Sequence, residues 1–210
     1  MEKYKIVILI PARNEFKTLN IILNRLIKKN YYILLVDDAS NDDTLKIKYQ
    51  KNLIILRNKK KIGYENTLKK GFEYIKKIKV FSHIITFDAD GEHKITDLKK
   101  FNKFLNYDLV IGKRDKTNRI LERIISYVFF KKYKLYDPLS GFKMYSLRAL
   151  YNFNKDLYLT DLTKKIVKNK RLNFINININ TQKRKGDPKV GGSCKVNLKL
   201  IKILNYIIFN

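Results

Sequence analysis

Short apolar runs alternate with amphipathic stretches through the first half of the chain. Five of the apolar runs have the length of buried strands: residues 5–10, 32–38, 52–57, 83–88 and 108–114. The stretches that follow the first, third and fourth runs carry apolar residues at helical spacing, and the second run is followed by a short helix at Asp43-Thr44. This alternation is typical of an α/β protein with a mainly parallel sheet covered by helices on both faces.

Polar clusters follow three of these predicted strands. PARNE follows the first strand, DDASNDDT the second and DADGEH the fourth. Ligands of a mainly parallel sheet bind beyond the carboxyl ends of its strands, where these clusters meet. The pattern therefore predicts one crevice surrounded by five acids: Glu15, Asp37, Asp38, Asp88 and Asp90.

DADGEH has two interpretations. Side chains two residues apart in an extended segment point the same way, so Asp88 and Asp90 can share a cation, with Glu92 within reach. Mg²⁺ and Mn²⁺ prefer such oxygen ligands. The alternative is an Asp-Gly turn with a helix cap. In both cases we interpret His93 as a turn residue rather than a ligand. The motif alone leaves both open.

DDASNDDT is equally ambiguous. Asp42 or Asp43 suits the N-cap of a helix. Asp37 and Asp38 stand early for a cap, and a carboxylate at a strand end can instead accept a hydrogen bond from a nucleobase N–H.

The second half of the chain is less regular. Its pattern predicts a helix at 121–136, a loop at 137–150 that leads into a strand or a helix, a helix at 159–170 and a strand at 171–179. A glycine-rich basic loop at 182–195 fits either a flexible segment or a phosphate cradle. A last amphipathic helix at 197–209 suits the interface of an anionic membrane or packing on the core.

Charge is unevenly distributed in the chain. The formal net charge is +27, yet all the acids of the predicted crevice lie in the first half. An acidic pocket within a basic body argues against a duplex-binding protein and suits a metal, anionic ligands and an anionic surface. We therefore expect no nucleic-acid partner, and a basic nucleic-acid-binding protein is only a remote alternative.

The single cysteine, Cys194, suits a reducing compartment. The first apolar run has only about six residues, too few for a signal peptide, and no segment reaches the roughly 20 apolar residues of a membrane span. We expect a cytoplasmic protein.

The order of the motifs is more specific than any one of them. IPARNE, VDDASNDDT, GYENTLKKGF, FDADGEH, VIGKR, DPLSGFKMY and GGSCK, in this succession, resemble the family-2 glycosyltransferases of GT-A fold. The resemblance is strongest to polyprenyl-phosphate sugar transferases of the dolichyl-phosphate mannose synthase type. Two positions depart from those relatives: Glu92 stands where they usually have glutamine, and Lys143 where they frequently have arginine.

The resemblance implies one GT-A domain over 1–210. It would comprise a nucleotide-sugar half at 1–115, an acceptor half at 116–196 and the amphipathic helix at 197–210. The resemblance also assigns roles to single residues. Pro11, Asn14, Glu15 and Asp37 or Asp38 would surround the nucleotide base and ribose. Asp88, Asp90 and Glu92 would hold Mg²⁺ or Mn²⁺ on the diphosphate, with Asp90 counted as catalytic. Arg114 and Arg123 would grip the phosphate of the acceptor, and Ser193 and Lys195 would close over the diphosphate.

Family members of this kind invert the anomeric centre, and the nature of the acceptor decides whether a base is needed. A sugar hydroxyl needs a carboxylate to take its proton, and Asp161 or Asp137 could serve, whereas a lipid phosphate is already ionised. Because the family's Glu-Asp pattern is missing, we favour transfer from a UDP- or GDP-sugar to polyprenyl phosphate, with a saccharide hydroxyl as the alternative acceptor. That activity implies cell-envelope glycan synthesis at the inner face of the membrane, with a membrane protein as a further candidate partner.

Overall fold

The computed structural model describes residues 5–47, 50–116, 119–151, 159–182 and 193–209. Its centre is a seven-stranded sheet with the strand order β3-β2-β1-β4-β6-β5-β7. The strands are β1 Ile6–Ala12, β2 Tyr32–Asp37, β3 Leu53–Arg57, β4 His83–Thr86, β5 Leu109–Arg114, β6 Lys143–Ser146 and β7 Phe174–Ile179.

Seven α-helices connect or flank the strands within the described residues: α1 Phe16–Lys28, α2 Tyr64–Ile78, α3 Leu98–Phe101, α4 Ile120–Tyr133, α5 Leu147–Tyr151, α6 Leu159–Lys168 and α7 Ser193–Phe209. Three short 3₁₀ turns lie at Asp43–Lys46, Ile95–Asp97 and Asn102–Phe104. Two of these turns flank α3, so the helix predicted at 95–105 is a series of short helical turns rather than one continuous helix.

The prediction of a mainly parallel sheet is confirmed. β1 runs parallel to both β2 and β4, and β5 runs parallel to β7. β6 is antiparallel to both of its neighbours, β4 and β5. The segment 137–150, for which the sequence left a strand or a helix open, contains both, because β6 is followed directly by α5.

Apolar side chains fill both faces of the sheet. One buried cluster joins Leu9 and Val36 of the sheet to Leu68 of α2 and Phe129 of α4. The other joins Ile8 of β1 and Ile33 of β2 to Leu19 and Leu23 of α1. Neighbouring residues such as Ile8 and Leu9 belong to opposite clusters, as expected for a strand that is buried on both faces.

The end of the chain differs from the prediction in one respect. The basic loop was predicted to extend to residue 195, but α7 begins at Ser193, so the prediction is wrong for its last three residues. α7 packs against the core through buried Leu200 and Ile207, while Leu198 and Ile201 are exposed. Lys132 of α4 donates to the carbonyl oxygen of Ile207 at 2.9 Å. One face of the last helix is therefore a core-packing face.

Within the described part of the chain, no helix is both long enough and apolar enough to cross a membrane.

Candidate functional site

The carboxyl ends of β2, β1 and β4 lie side by side, as the sequence predicted. Ala12, the last residue of β1, pairs with Asp37, the last residue of β2. Side chains then join the two loops that follow these strands. Arg13 Nη1 donates to the carbonyl oxygen of Asp38 at 2.8 Å, and the Asn41 amide donates to Asn14 Oδ1 at 2.8 Å. The crevice thus has a floor made by PARNE and DDASN. Pro11 and Glu15 border it, since Pro11 lies within β1 and Glu15 is the residue before α1.

Asp38 is fully engaged by the chain itself. Its two oxygens accept from the amides of Ile62 at 2.8 Å and Gly63 at 2.9 Å, and from Asn58 Nδ2 at 3.1 Å. Burial would raise the pKa of Asp38, but these donors lower it below its ordinary value. Asp38 therefore fixes the segment between β3 and α2.

Asp37 is placed differently. Its side chain is buried, and Oδ1 accepts from the amide and the hydroxyl of Ser40. Oδ2 is buried without a hydrogen-bond partner among the described residues. Of the two acids predicted to bind the base, Asp37 is the one that keeps an unpaired acceptor oxygen.

Asp88 is held from three sides. Tyr64 Oη donates to Oδ1 at 2.7 Å, and His93 Nε2 lies 3.3 Å from Oδ2. A Cβ at Gly141 would clash with Oδ2, so any other residue at this position would displace the carboxylate. Burial would raise the pKa of Asp88, but the contacts with His93 and Tyr64 and the charge of Arg114 lower it below its ordinary value. The carboxylate is therefore ionised at neutral pH.

The other two acids of DADGEH take different positions. Asp90 Oδ1 accepts from the amide of Glu92 at 2.9 Å, which closes the turn. Glu92 Oε1 lies 4.0 Å from Arg114 Nη1, and burial raises the pKa of Glu92 although Arg114 opposes the shift. Among the described residues, no three acidic, histidine or cysteine side chains converge as a ready metal site. Asp88, Asp90 and Glu92 therefore do not form a three-ligand cluster by themselves.

Arg114 lies at the centre of an ionic network. Its Nε and Nη2 donate to the two oxygens of Asp137 at 2.9 Å and 2.8 Å. Nη2 also lies 3.1 Å from Glu122 Oε2. The guanidinium is 11% exposed, so it is largely occupied by carboxylates of the chain. Arg123, the other arginine predicted to bind the acceptor, is exposed on α4.

Lys143 is a buried cation beside this network. Its Nζ donates to the carbonyl oxygen of Pro138 at 2.6 Å. Burial lowers the pKa of Lys143 to about 8, although the negative charge of Asp137 acts in the opposite direction.

Some of the predicted site residues are not among those whose side chains the structure describes. The side chains of Asp161, Ser193 and Lys195 and the loop 183–192 are outside the described residues.

Two residues of the site were missed by the sequence analysis. His93 was interpreted as a turn residue, but its side chain is buried, packs against Phe142 and contacts Asp88. Nothing in GYENTLKKGF pointed to Tyr64, because its contact with Asp88 joins residues 24 positions apart. A histidine shortly after a pair of acids was the only local signal.

A family model described as Glycosyl transferase family 2 matches residues 7–156. The chain belongs to this family. The match covers all the strands of the crevice, together with α2, α4 and β6, so the site described above lies within the family's domain. The family predicted from the order of the motifs is thereby confirmed.

The chain is similar in sequence to several archaeal proteins. The chain is 35% identical over 130 residues to the uncharacterized protein MJ0544 of Methanocaldococcus jannaschii. It is 29% identical over 189 residues to a UDP-N-acetylglucosamine–dolichyl-phosphate N-acetylglucosaminyltransferase of Methanococcus voltae, a match that covers 72% of this chain and 73% of that protein. Against MJ0544 and a second M. jannaschii protein, MJ1222, the match spans 57% and 48% of the relative's length, about half.

Solved structures share the fold at low identity. Glucosyl-3-phosphoglycerate synthase of Mycobacterium tuberculosis, in complex with Mn²⁺, UDP and glucosyl-3-phosphoglycerate, superposes with a TM-score of 0.69 at 14% identity, covering 98% of this chain and 78% of that one. Mannosyl-3-phosphoglycerate synthase of Rubrobacter xylanophilus also gives 0.69, at 12% identity, covering 98% and 72%. The predicted glycosyltransferase α/β fold is confirmed by these similarities.

Proposed function

We propose that the chain transfers a sugar from a UDP- or GDP-sugar to polyprenyl phosphate, with inversion at the anomeric carbon and with a divalent metal. The proposal rests on the position of Asp88 and Asp90. These two acids follow β4 and lie beside the loops that follow β1 and β2. In a family-2 glycosyltransferase, this is the place where acids can bind the diphosphate end of the donor through a cation.

The donor atoms at this place fit Mg²⁺ or Mn²⁺. Asp88 is ionised, Asp90 is two residues away, and both offer the hard oxygen ligands that these ions prefer. Two protein carboxylates are enough, because Mg²⁺ usually takes its remaining ligands from water and substrate phosphates. The M. tuberculosis synthase holds Mn²⁺ together with UDP, which supports the same arrangement here. We assign Asp88 and Asp90 as ligands, with Glu92 as a neighbour held near Arg114.

A divalent ion at this site would neutralise charge on the departing nucleoside diphosphate. The chain itself would hold the rest of the donor. Asp37 offers an unpaired acceptor oxygen for an N–H of the base, and Asn14 and Asp38 shape the pocket around the ribose. Ser193 and Lys195, which lie at the start of α7, stay proposals for contacts with the diphosphate.

The contacts of Asp137 support a phosphate acceptor over a hydroxyl acceptor. A hydroxyl acceptor requires a carboxylate that can receive its proton. Asp137, one of the two candidates for this base, is 3% exposed, and both of its oxygens accept from Arg114. An ionised lipid phosphate needs no such base. The relative from M. voltae, by its name, also acts on dolichyl phosphate.

Arg123 is the better placed of the two arginines for the phosphate of the acceptor. Arg114 is buried and occupied, whereas Arg123 is exposed on α4. Ile120, Ile124 and Tyr127 are exposed on the same helical face, at 75%, 41% and 59%. A guanidinium next to an exposed apolar face suits a molecule with a phosphate head and a hydrocarbon tail.

The same face suits contact with a membrane. α7 packs beside α4 and adds exposed Leu198 and Ile201. Exposed apolar side chains among many lysines and arginines are typical of surfaces that bind anionic bilayers. We therefore propose a peripheral protein at the inner face of the cell membrane, where polyprenyl phosphate is accessible and where a membrane protein partner could also bind.

A transfer assay tests this function. The protein is incubated with vesicles containing polyprenyl phosphate, Mn²⁺ and radiolabelled UDP- and GDP-sugars in turn, and label in the lipid fraction is measured. We expect metal-dependent transfer from one donor class, and a loss on the order of 10² or more in Asp90→Asn. The matched control is Asp43→Asn, an exposed acid paired with Lys46, which should change the rate less than about twofold.

Two results would contradict the proposal. Absence of metal-dependent transfer to lipid from every donor would exclude the activity. Transfer to a saccharide hydroxyl, lost by a factor on the order of 10²–10⁴ in Asp161→Asn, would show that the acceptor is a glycan instead.

A further inference from the structure

Both oxygens of Asp88 are contacted, and the two contacts come from different elements. Tyr64, the first residue of α2, donates to Oδ1, and His93, from the loop that contains Asp88, contacts Oδ2. The backbone of Gly141 closes the third side. A carboxylate contacted in this way cannot rotate freely about its Cβ–Cγ bond.

Core packing does not explain why a tyrosine stands at position 64. The residue is 46% exposed, whereas Leu68 one turn further along α2 is 1% exposed and belongs to the core. An exposed aromatic residue gains little from burial. The bond of its hydroxyl to Asp88 at 2.7 Å is what distinguishes this position.

The backbone that presents Tyr64 is anchored. Gly63 precedes α2 with φ of 88°, a conformation that favours glycine. The amides of Ile62 and Gly63 both donate to Asp38. From this anchored backbone the Tyr64 hydroxyl donates to Asp88 Oδ1.

We propose that Tyr64 is a positioning residue for the metal site: its hydroxyl holds the Asp88 carboxylate in the orientation that binds the divalent ion of the donor. The inference rests on the proposed function, since it takes Asp88 as a metal ligand. Hydrogen bonds to ligating carboxylates typically change metal affinity by about 10- to 100-fold. Tyr64 therefore sets the affinity for the ion without touching it.

Mn²⁺ binding measures this effect without turnover. The free ion is followed by electron paramagnetic resonance during titration of the protein, in the presence of UDP and, in parallel, of GDP. We expect Tyr64→Phe to weaken Mn²⁺ binding about tenfold or more and to alter the spectrum of bound Mn²⁺. Tyr64→Leu should give the same loss, because only the hydroxyl is required.

Tyr74→Phe is the matched control. It makes the same chemical change on the same helix, in a partly buried residue packed against the core cluster. Mn²⁺ affinity and spectrum should equal those of the wild type. Thermal unfolding without metal should be similar in both phenylalanine variants, which separates a loss of positioning from a loss of folding.

The outcomes are distinguishable. If Asp88→Asn weakens Mn²⁺ binding and Tyr64→Phe does not, the positioning role is wrong and the metal site stands. If Asp88→Asn binds Mn²⁺ as well as the wild type, the metal site of the proposed function is itself wrong, and the role of Tyr64 fails with it.

Discussion

At the scale of single residues, Lys143 is the most unusual group of the site. It is 4% exposed and donates to the carbonyl oxygen of Pro138, whereas nearby Arg114 binds carboxylates directly. A buried ammonium group that is compensated only in part favours its neutral form. Lys143 therefore contributes a dependence of stability on pH.

The sign of this dependence follows from the pKa. Burial lowers the pKa of Lys143 to about 8 in the folded protein, from an ordinary value of 10.5. Between these values the unfolded chain binds more protons, so this group makes the free energy of unfolding rise with pH. At pH 7 the charged lysine costs roughly 3 kcal/mol, at about 1.4 kcal/mol per pKa unit.

We predict that Lys143→Met removes the rise in stability between pH 8 and 10.5 that Lys143 causes. An apolar side chain of similar length should also leave stability at pH 7 unchanged or higher, as in other replacements of buried charges. Denaturant unfolding at several pH values gives the measurement. Lys99→Met, at an exposed position, is the control and should follow the wild-type pH profile. A Lys143→Met profile parallel to the wild type would disprove a shifted pKa.

At the scale of elements, Arg114 ties three segments together. It lies at the end of β5, and it binds Glu122 in the first turn of α4 and Asp137 in the turn before β6. The same turn places Gly141 close to the carboxylate of Asp88. The network therefore connects the helix proposed for the acceptor with the acid proposed for the metal.

We predict that Arg114 mainly affects stability and that Arg123 mainly affects binding of the acceptor. Arg114→Met leaves the buried carboxylate of Asp137 without its guanidinium partner and should lower the free energy of unfolding by about 3–5 kcal/mol. Glu122 keeps its contact with Arg119 at 3.3 Å. Arg123→Met, at an exposed position of α4, should change it by about 0.5 kcal/mol or less and instead raise KM for the lipid acceptor. Denaturant unfolding and acceptor titration separate the two. Equal stability of both variants would mean that the Arg114 network does not hold these elements together.

At the scale of the whole molecule, charge and exposed apolar surface act together. The net charge of +27 attracts the chain to anionic surfaces in general, with a strong dependence on salt. We propose that the exposed apolar side chains of α4 and α7 are the part of the surface that enters a bilayer. Charge alone would orient the molecule poorly on a membrane, whereas the proposed apolar surface of α4 and α7 would orient it.

We predict that the protein binds phosphatidylglycerol vesicles more tightly than phosphatidylcholine vesicles, and less tightly at high salt. Combined Ile124→Glu and Ile201→Glu substitutions should lower the partition coefficient about tenfold, because they remove apolar contact and add repulsion. Val80→Glu, at another exposed apolar residue, is the control. Sedimentation with vesicles measures the binding. A similar loss in the control would mean that net charge alone drives it.

Much of the fold could be predicted from local patterns. β1 to β5 and the helices between them are marked by apolar periodicity, and parallel connection places the clusters after β1, β2 and β4 at one edge. β6 could not be predicted, because the short segment Lys143–Ser146 becomes a strand through pairing with β4 and β5 on both sides. The predicted end of the basic loop was also wrong. The apolar pattern begins the last helix at residue 197, whereas α7 begins at Ser193.

The sequence by itself determined the class of fold, the family and the acids of the crevice, because these depend on periodicity and on motifs in a given order. Only the tertiary structure decided what each charged group faces. It engages Asp38 with the backbone amides of Ile62 and Gly63, encloses Arg114 in carboxylates, and brings Tyr64 and His93 to the two oxygens of Asp88. These contacts join residues far apart in the chain, and their strength depends on burial, which no local pattern records.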